Sequence, residues 1–351
     1  MMPNPDTTPG TPSDRAAAAP VVRWRRLRWW AGLGCWAYAA LLLAVWITLH
    51  FAGDRWWLAT MLLFGPRWVW GAPLALLLPA AGWLRPRRWW VVFLGVGIAL
   101  IPVGGLRVPW RTFTFATSQP CLRVLTCNIH RQQTDTKSLA KLIAAVHPDV
   151  VALQNWSSSH AAVFGQGGWF MHRDGELLLA SRFPIGRVTQ VDQLDEGGWD
   201  GSGTCYELQT PWAVVPFFNL HLASPHRYFE DVLESDPTGP EGVRANSACR
   251  ERQSKLVSDL ALAQGPATLL AGDFNTPDDS PIFRRAWASF SDAFTIAGWG
   301  FGRTFYTRRT AIRIDHILAG PAWRCRRCWV GPTVGSPHLP VIADIEFVGA
   351  R

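Results

Sequence analysis

Twenty-three consecutive residues, Trp29–Phe51, contain no Asp, Glu, Lys or Arg, and Arg23, Arg25, Arg26 and Arg28 stand just before them. A bilayer-spanning helix needs about 20 apolar residues, so this run is long enough to cross. It is too long for the core of a signal peptide, and no small-residue cleavage site follows, so it predicts a retained anchor. Two shorter uncharged runs follow, Trp68–Leu84 and Trp89–Leu106, giving three expected spans at 29–51, 68–84 and 89–106. Trp56–Gly65 is too short to cross and is expected to lie along the interface. Tryptophans flank each run, as in the aromatic belts of membrane proteins. The second arginine cluster, Arg85, Arg87 and Arg88, separates runs two and three. Basic clusters stay cytoplasmic, so both clusters on that side put everything after the third run outside the cytoplasm.

Charge divides the chain at the same place. Residues 1–120 hold 12 arginines and three acids, a net +9, whereas residues 121–351 are net −1. The basic balance belongs to the anchor, and the remainder has no global basic surface for nucleic acid. The expected organisation is a disordered tail over 1–22, an anchor over 23–111 and one further domain over 112–351. Six of the seven cysteines lie after residue 120, an even number that permits up to three disulfides in an oxidising compartment. Cys325-Arg-Arg-Cys328 has zinc-ribbon spacing, but no second pair completes four ligands; a local disulfide or two free thiols is expected there.

Within 112–351 the patterning is that of one α/β domain. Leu122–Asn128 alternates as a strand, and Asp149–Gln154 is nearly all apolar, as in a strand buried on both faces. Between them Leu139, Leu142, Ile143 and Val146 share one helix face, capped by Thr134 or Asp135 and stopped by Pro148. Further strands are expected at Leu177–Ala180, Ile185–Val191, Val214–Leu222, Ala267–Ala271, Ile312–Leu318 and Val341–Phe347. A helix is expected over Arg244–Ala263, with the Gly/Pro-rich residues 235–243 forming the largest surface loop. Many strands with few helices argue a mixed, largely antiparallel sheet core with helices outside.

Polar residues gather at the ends of these apolar strands, where a scaffold presents a site. They are Asn128 and His130, Gln154 and Asn155, His221, Asp273 and Asn275, Asp315 and His316, and His338. Carboxylates, amides and imidazoles without a Ser or Cys nucleophile point to hydrolysis by activated water beside a hard metal ion.

The ordered segments LRVLTCNIH, PDVVALQN, LLLASRFPI, NLHLASP, LLAGDFNTPDDS, RIDHILAG and SPHLPVIADI resemble the endonuclease/exonuclease/phosphatase superfamily over about residues 121–349. The resemblance implies a DNase I-like four-layer α/β sandwich and Mg²⁺-dependent phosphoester hydrolysis. It implies that Asp273 and Asn275 orient the attacking water and touch the metal, and that His338, partnered by Asp315, handles the proton and contacts phosphate. His221 would hydrogen-bond a phosphate oxygen, and Asn128 would position Asp273. The implied metal set is Asn155, Asp273, Asn275 and Asp315.

Two positions depart from the family pattern. Its metal-binding Glu after Leu-Gln is Asn155 here, and its Asp before the final His is Pro337. An amide in place of a carboxylate weakens Mg²⁺ binding, so Mn²⁺ is a second expected ion. The expectation is therefore a membrane-anchored, extracytoplasmic, metal-dependent phosphoester hydrolase of the cell membrane, acting on a mono- or diester such as a membrane lipid phosphate. The alternatives are a weakened or inactive binding domain of the same fold and an extracytoplasmic nuclease, the latter disfavoured by charge.

Overall fold

The computed structural model describes residues 13–81, 89–109, 120–130, 134–165, 167–192, 194, 201–308 and 310–349, with only the backbone of 13–23. Arg85, Arg87 and Arg88, and the expected boundary at 112, lie outside them. The chain divides into two compact units, one formed by Met1–Trp46 with Trp68–Gly104, the other by Ile47–Arg67 with Gly105–Arg351.

The first unit contains α1 (Ser13–Ile47, to Trp46), α3 (Leu74–Ala81) and α4 (Trp89–Ile98), the last continued by a π-turn over Ala99–Val103. α1 starts at Ser13, inside the stretch read as a tail, because Ala16–Ala19 are strong helix formers. One helical stretch among the described residues, Trp24–Ala52, is long and apolar enough to cross a membrane. The second and third uncharged runs form shorter helices. Trp89–Val103 spans roughly 22 Å, against about 30 Å of hydrocarbon.

In the second unit, α2 (Trp57–Phe64) buries Ala59, Thr60, Leu63 and Phe64 and leaves Leu58 and Leu62 exposed. The segment expected only to lie along an interface therefore belongs to the same compact body as the C-terminal domain. Asp54, at positive φ and buried, accepts hydrogen bonds from Arg250 Nη2 (3.1 Å) and Ser280 Oγ (2.5 Å). An apolar pattern cannot announce such a link, because a single buried aspartate makes it.

The rest of this unit is a sandwich of two six-stranded sheets. The first contains β1 (Cys121–Asn128), β2 (Val150–Gln154), β3 (Phe170–Asp174), β4 (Leu177–Ser181), β13 (Trp323–Val330) and β14 (Val341–Phe347), in the order β13-β14-β1-β2-β4-β3. The second contains β5 (Ile185–Gln190), β6 (Ser202–Gln209), β7 (Val214–His221), β8 (Leu269–Asp273), β9 (Ser291–Asp292) and β12 (Asp315–Ala319), in the order β5-β6-β7-β8-β12-β9. A two-stranded ribbon pairs β10 (Phe305–Tyr306) with β11 (Ala311–Ile312). The parallel pairs β1–β2 and β7–β8 need helical crossovers. These are α5 (Thr136–Val146) and the α7 (His226–Leu233) plus α8 (Gly239–Ala263) pair; α6 (Ser158–Ala161), α9 (Pro281–Ala286) and α10 (Ala293–Ala297) are short. The Asp135 side chain caps α5, accepting from Lys137 and Ser138 N–H groups.

Side-chain alternation sorts these strands into four layers. Leu122, Val124, Val150 and Ala152 of one sheet meet Phe217, Leu269, Ala271 and Ile317 of the other between the sheets. The opposite faces take Leu125, Val151 and Leu153 under α5, and Phe218, Leu220 and Leu270 against Val257, Ala261 and Phe283 of α8 and α9. The result is a helix–sheet–sheet–helix order.

Several expected elements differ. The loop expected over 235–243 becomes helical at Gly239, with Pro240 at the first turn, where its missing N–H costs nothing. Ile312–Leu318 is broken between β11 and β12 at Arg313-Ile314. β3, β6 and β13 carry weak alternation, and β13 is bulged between Cys325 and Arg327, which defeats a period-two reading. All seven cysteines are free. Along a strand Cys325 and Cys328 stand roughly 10 Å apart, beyond the about 7 Å Cα limit of a disulfide, so the two-thiol alternative holds.

Candidate functional site

The same alternation builds the site. Counting by twos along each strand, Asn128, Gln154, Asn219, His221, Asp273 and Asp315 fall on the inner faces, in register with the residues of the central core. Asn128, Gln154, His221 and Asp273 end β1, β2, β7 and β8, and Asp315 begins β12, which runs antiparallel to β8 with Asp315 opposite Asp273. Both sheets therefore deliver polar side chains to one end of the gap between them. His316 takes the other parity. Its ring packs against Phe274 and Phe283, and Nε2 lies 3.0 Å from the Thr276 carbonyl, so it belongs to the outer core and not to the site. His130 is exposed at the rim.

Asp273 is the centre. Its Oδ2 accepts from Asn128 Nδ2 at 2.9 Å, and its Oδ1 accepts from the Asn275 backbone N–H at 2.9 Å. His221 Nε2 and His338 Nε2 each lie 3.8 Å from Oδ2. Burial, reinforced by the Asp315 charge, raises the Asp273 pKa, against the pull of both imidazoles and Asn128. Gly272 precedes it at φ 148°, and a Cβ there would stand 2.0 Å from the Leu220 carbonyl, so the strand approach that sets Asp273 requires glycine.

Each histidine is held by a carboxylate. His338 Nδ1 lies 2.9 Å from Asp315 Oδ2, and its ring packs on Phe305 with centroids 4.7 Å apart. Burial would lower its pKa, but Asp315 and Asp273 raise it to about 9. His221 Nδ1 lies 2.7 Å from Glu176 Oε1, which also accepts from Ser202 Oγ at 2.8 Å. Burial opposes protonation there too, yet the Glu176 hydrogen bond and the Asp273 charge bring the pKa above its ordinary value. Both imidazoles are thus fixed with Nδ1 toward their carboxylates and Nε2 toward Asp273.

Asn155 and Asn275 both adopt left-handed backbone, φ 53° and 47°, which asparagine tolerates better than most residues. Asn155 Nδ2 donates to Asn128 Oδ1 at 3.0 Å, and Asn275 Nδ2 donates to the Leu222 carbonyl at 2.7 Å. Beneath them Gln154 Nε2 donates to Asn219 Oδ1 at 2.7 Å and links the two sheets. At the substituted Pro337 the carbonyl accepts from the Tyr306 N–H, while Ser336 Oγ accepts from the His338 N–H and donates to the Asn128 carbonyl.

Of the expected metal set, Asp273 and Asp315 converge, and with His338 their ligand atoms lie within 4.8 Å of one another. Two buried carboxylates side by side raise each other's energy, and a hard divalent cation with oxygen preference would relieve that, so this donor set fits one. Sequence reasoning had not assigned Asn219, Ser336 or the Phe305 ring to the site, nor Glu176 to His221. Glu176 follows Gly175 in a turn, and only the continuous apolar run Leu177–Ala180 next to it hints at a neighbouring strand end.

A two-sheet sandwich with carboxylate-held imidazoles around a buried Asp at the strand ends defines a DNase I-like hydrolase fold. The Endonuclease/Exonuclease/phosphatase family profile matches residues 125–338, and the chain belongs to that family. Among solved structures, an endonuclease/exonuclease/phosphatase from Beutenbergia cavernae DSM 12333 is 20% identical, with 66% of this chain and 72% of that chain covered and a TM-score of 0.50. A Danio rerio TDP2 complexed with single-strand DNA product is 13% identical, covering 64% and 99%, with a TM-score of 0.50. A mannosyl-6-phosphatase of Bacteroides thetaiotaomicron VPI-5482 is 16% identical, covering 64% and 100%, with a TM-score of 0.49. At these identities the likeness is one of fold. No curated protein sequence matches the chain.

Proposed function

We propose that this chain is a membrane-anchored, extracytoplasmic, metal-dependent phosphoester hydrolase. The observation that carries the reading is the pair of carboxylate-held imidazoles whose Nε2 atoms flank Asp273, each 3.8 Å from its Oδ2. His338, raised to about 9, presents a cationic N–H donor to a phosphoryl group, and the Glu176 hydrogen bond with the Asp273 charge favours the protonated form of His221 as a second donor. Asp273, whose pKa burial raises, accepts the proton of the attacking water, and Asn128 and the Asn275 N–H hold its carboxylate in place. His338, held by Asp315, returns a proton to the leaving oxygen, and His221 with Asn275 binds the phosphoryl oxygens. Asp273 and Asp315 would hold Mg²⁺ or Mn²⁺, with Asn155 and Asn275 as the neutral oxygen donors; bound there, the ion supplies positive charge to a phosphoryl oxygen.

The topology rests on chain connectivity. Ile47–Arg67 and Gly105–Arg351 form one compact body, so the chain between Trp68 and Gly104 returns to the side it left. A crossing within the apolar helical stretch Trp24–Ala52, with the arginine-rich start held in the cytoplasm by the positive-inside tendency, supports an extracytoplasmic place for that body.

Asn155 favours a second reading, a binding domain with lost or weakened catalysis, because the position offers no charge to a metal. The deciding measurement is phosphate release or diester cleavage by the full chain in nanodiscs, with Mg²⁺ or Mn²⁺, from lipid, nucleotide and DNA phosphates. Metal-dependent turnover that disappears in Asp273→Asn supports hydrolysis. Binding without turnover on every substrate supports the scaffold.

A further inference from the structure

We propose that the chain before β1 completes the site. Arg67 and Arg107, with Asp54 acting through Arg250, are positioning residues that hold Asn275 and Asp315, a role that rests on the hydrolase reading. All four belong to the same compact unit as the two sheets, so the bonds among them lie within one body.

The need for such support begins at Asn275. Its backbone is left-handed, and a residue stays in that region only where its surroundings over-determine it. On one side its N–H donates to Asp273 and its side chain to the Leu222 carbonyl. On the other, its carbonyl accepts from Arg250 Nη1 at 3.4 Å, and the same nitrogen lies 3.4 Å from Thr276 Oγ1. Arg250 is fully buried on α8, and Asp54 Oδ1 meets its charge at 3.1 Å. Asp54 therefore fixes the guanidinium that holds Asn275, and its other oxygen accepts from Ser280 Oγ.

Between Thr276 and Ser280 stand Asp278 and Asp279, each taken by an arginine from before β1. Arg67 clasps Asp279 with both terminal nitrogens, Nη1 to Oδ2 at 2.6 Å and Nη2 to Oδ1 at 2.9 Å, a fork that fixes direction as well as distance. Arg107 Nη2 donates to Asp278 Oδ2 at 2.6 Å, and its own backbone exchanges two hydrogen bonds with Gly300. The same Asp278 oxygen meets Arg313 Nη2 at 2.5 Å, and Arg313 Nη1 reaches Asp292 Oδ2 at 2.5 Å. Arg313 stands two residues before Asp315, so Asp278 joins Arg107 to the segment that delivers the Asp315 carboxylate to His338. A further bond, from Thr310 Oγ1 to the Phe64 carbonyl, ties α2 to the β10–β11 ribbon whose Phe305 packs on the His338 ring. Buried ion pairs are weak sources of stability, and their best-attested use is to fix one arrangement among several. Arginine–aspartate pairs gathered on the five residues after Asn275 suit that use.

The test uses full chains in nanodiscs: wild type, Arg67→Ala, Arg107→Ala and their double variant, with Arg107→Lys and Arg67→Lys as conservative changes. Substrates are bis(p-nitrophenyl) phosphate and p-nitrophenyl phosphate with Mn²⁺. The double variant should lower kcat about ten- to a hundredfold with KM unchanged, the usual cost of losing a partner that orients a metal-binding group. Mn²⁺ binding without substrate, read by electron paramagnetic resonance, should weaken about tenfold. Arg107→Lys keeps the charge where one bond is made and should retain kcat, whereas Arg67→Lys loses the fork and should not. Arg123→Ala removes a comparable pair, with Asp344, at the far end of β1 from Asn128; it should lower Tm and leave kcat unchanged. Unchanged kcat or unchanged Mn²⁺ binding in the double variant, or an equal kcat loss in Arg123→Ala, overturns the positioning role and leaves the hydrolase reading standing. Wild type that turns over no phosphoester, these or lipid, nucleotide and DNA phosphates, overturns the hydrolase reading and this role with it.

Discussion

His221 Nδ1 lies 2.7 Å from Glu176 Oε1, across a boundary between the two sheets: His221 ends a strand of one, and Glu176 stands in the turn between two strands of the other. The contact makes the protonation of a site histidine depend on how the sheets are packed. Burial alone would lower the His221 pKa; the Glu176 hydrogen bond and Asp273 reverse that.

Glu176→Gln keeps the side-chain shape but removes the charge, so the His221 pKa should fall. The group is needed protonated, and the alkaline limb of kcat/KM should therefore move toward acid. An unchanged limb would assign it to another group.

Asp273→Ala and His338→Ala should each lower kcat by about 10²-fold or more, the usual scale for loss of a proton-transfer group or charged stabiliser. Circular dichroism should stay native. Full activity in both variants would remove Asp273 and His338 from the mechanism.

Asn155→Glu adds a carboxylate one methylene longer than the native side chain, at a left-handed residue that suits asparagine better. Half-activation by Mg²⁺ should need about tenfold less metal, near 1.4 kcal/mol. Metal-free Tm should fall, because Glu cannot donate to Asn128 Oδ1 as Asn155 does. Asn155→Asp, nearly isosteric, separates charge from length. No metal effect in either variant would mean that the position is not a ligand.

His338 predicts a pH window for stability. Its folded pKa is raised to about 9 by Asp315 and Asp273, against about 6.5 unfolded. A raised pKa stabilises fully below the unfolded value and loses that contribution as pH rises through the folded one. In EDTA, the stability of the full chain should decline between about pH 6.5 and 9, by on the order of 3 kcal/mol. His338→Gln should flatten that part of the curve.

Asp54 tests whether Ile47–Arg67 is integral to the domain. Its removal leaves Arg250, 0% exposed, without its buried carboxylate, and breaking such a pair costs about 3–5 kcal/mol. Asp54→Ala should lower the Tm of the full chain by on the order of 10 °C. A fragment of residues 112–351 should be similarly weakened. An unchanged Tm would mean that the segment merely rests on the domain.

The sequence by itself determined the apolar first helix, the strands β1, β2, β4, β5, β7, β8 and β14, the helix α5 and the polar residues at the strand ends. These are local properties: a period of two or 3.6, a capping Asp, a run without charge. Alternation also already set Asn128, His221, Asp273 and Asp315 on common faces. Tertiary structure alone decided which neighbours those residues met. It paired Glu176 with His221, sent His316 to the outer core by a one-residue change of parity, and kept Cys325 and Cys328 apart along a bulged strand. It also drew Asp54 across the chain to Arg250, nearly 200 positions away, and so joined a segment that reads as membrane-associated to the two-sheet sandwich. Such links depend on single polar side chains meeting after long loops have closed, and no periodicity in the chain records them.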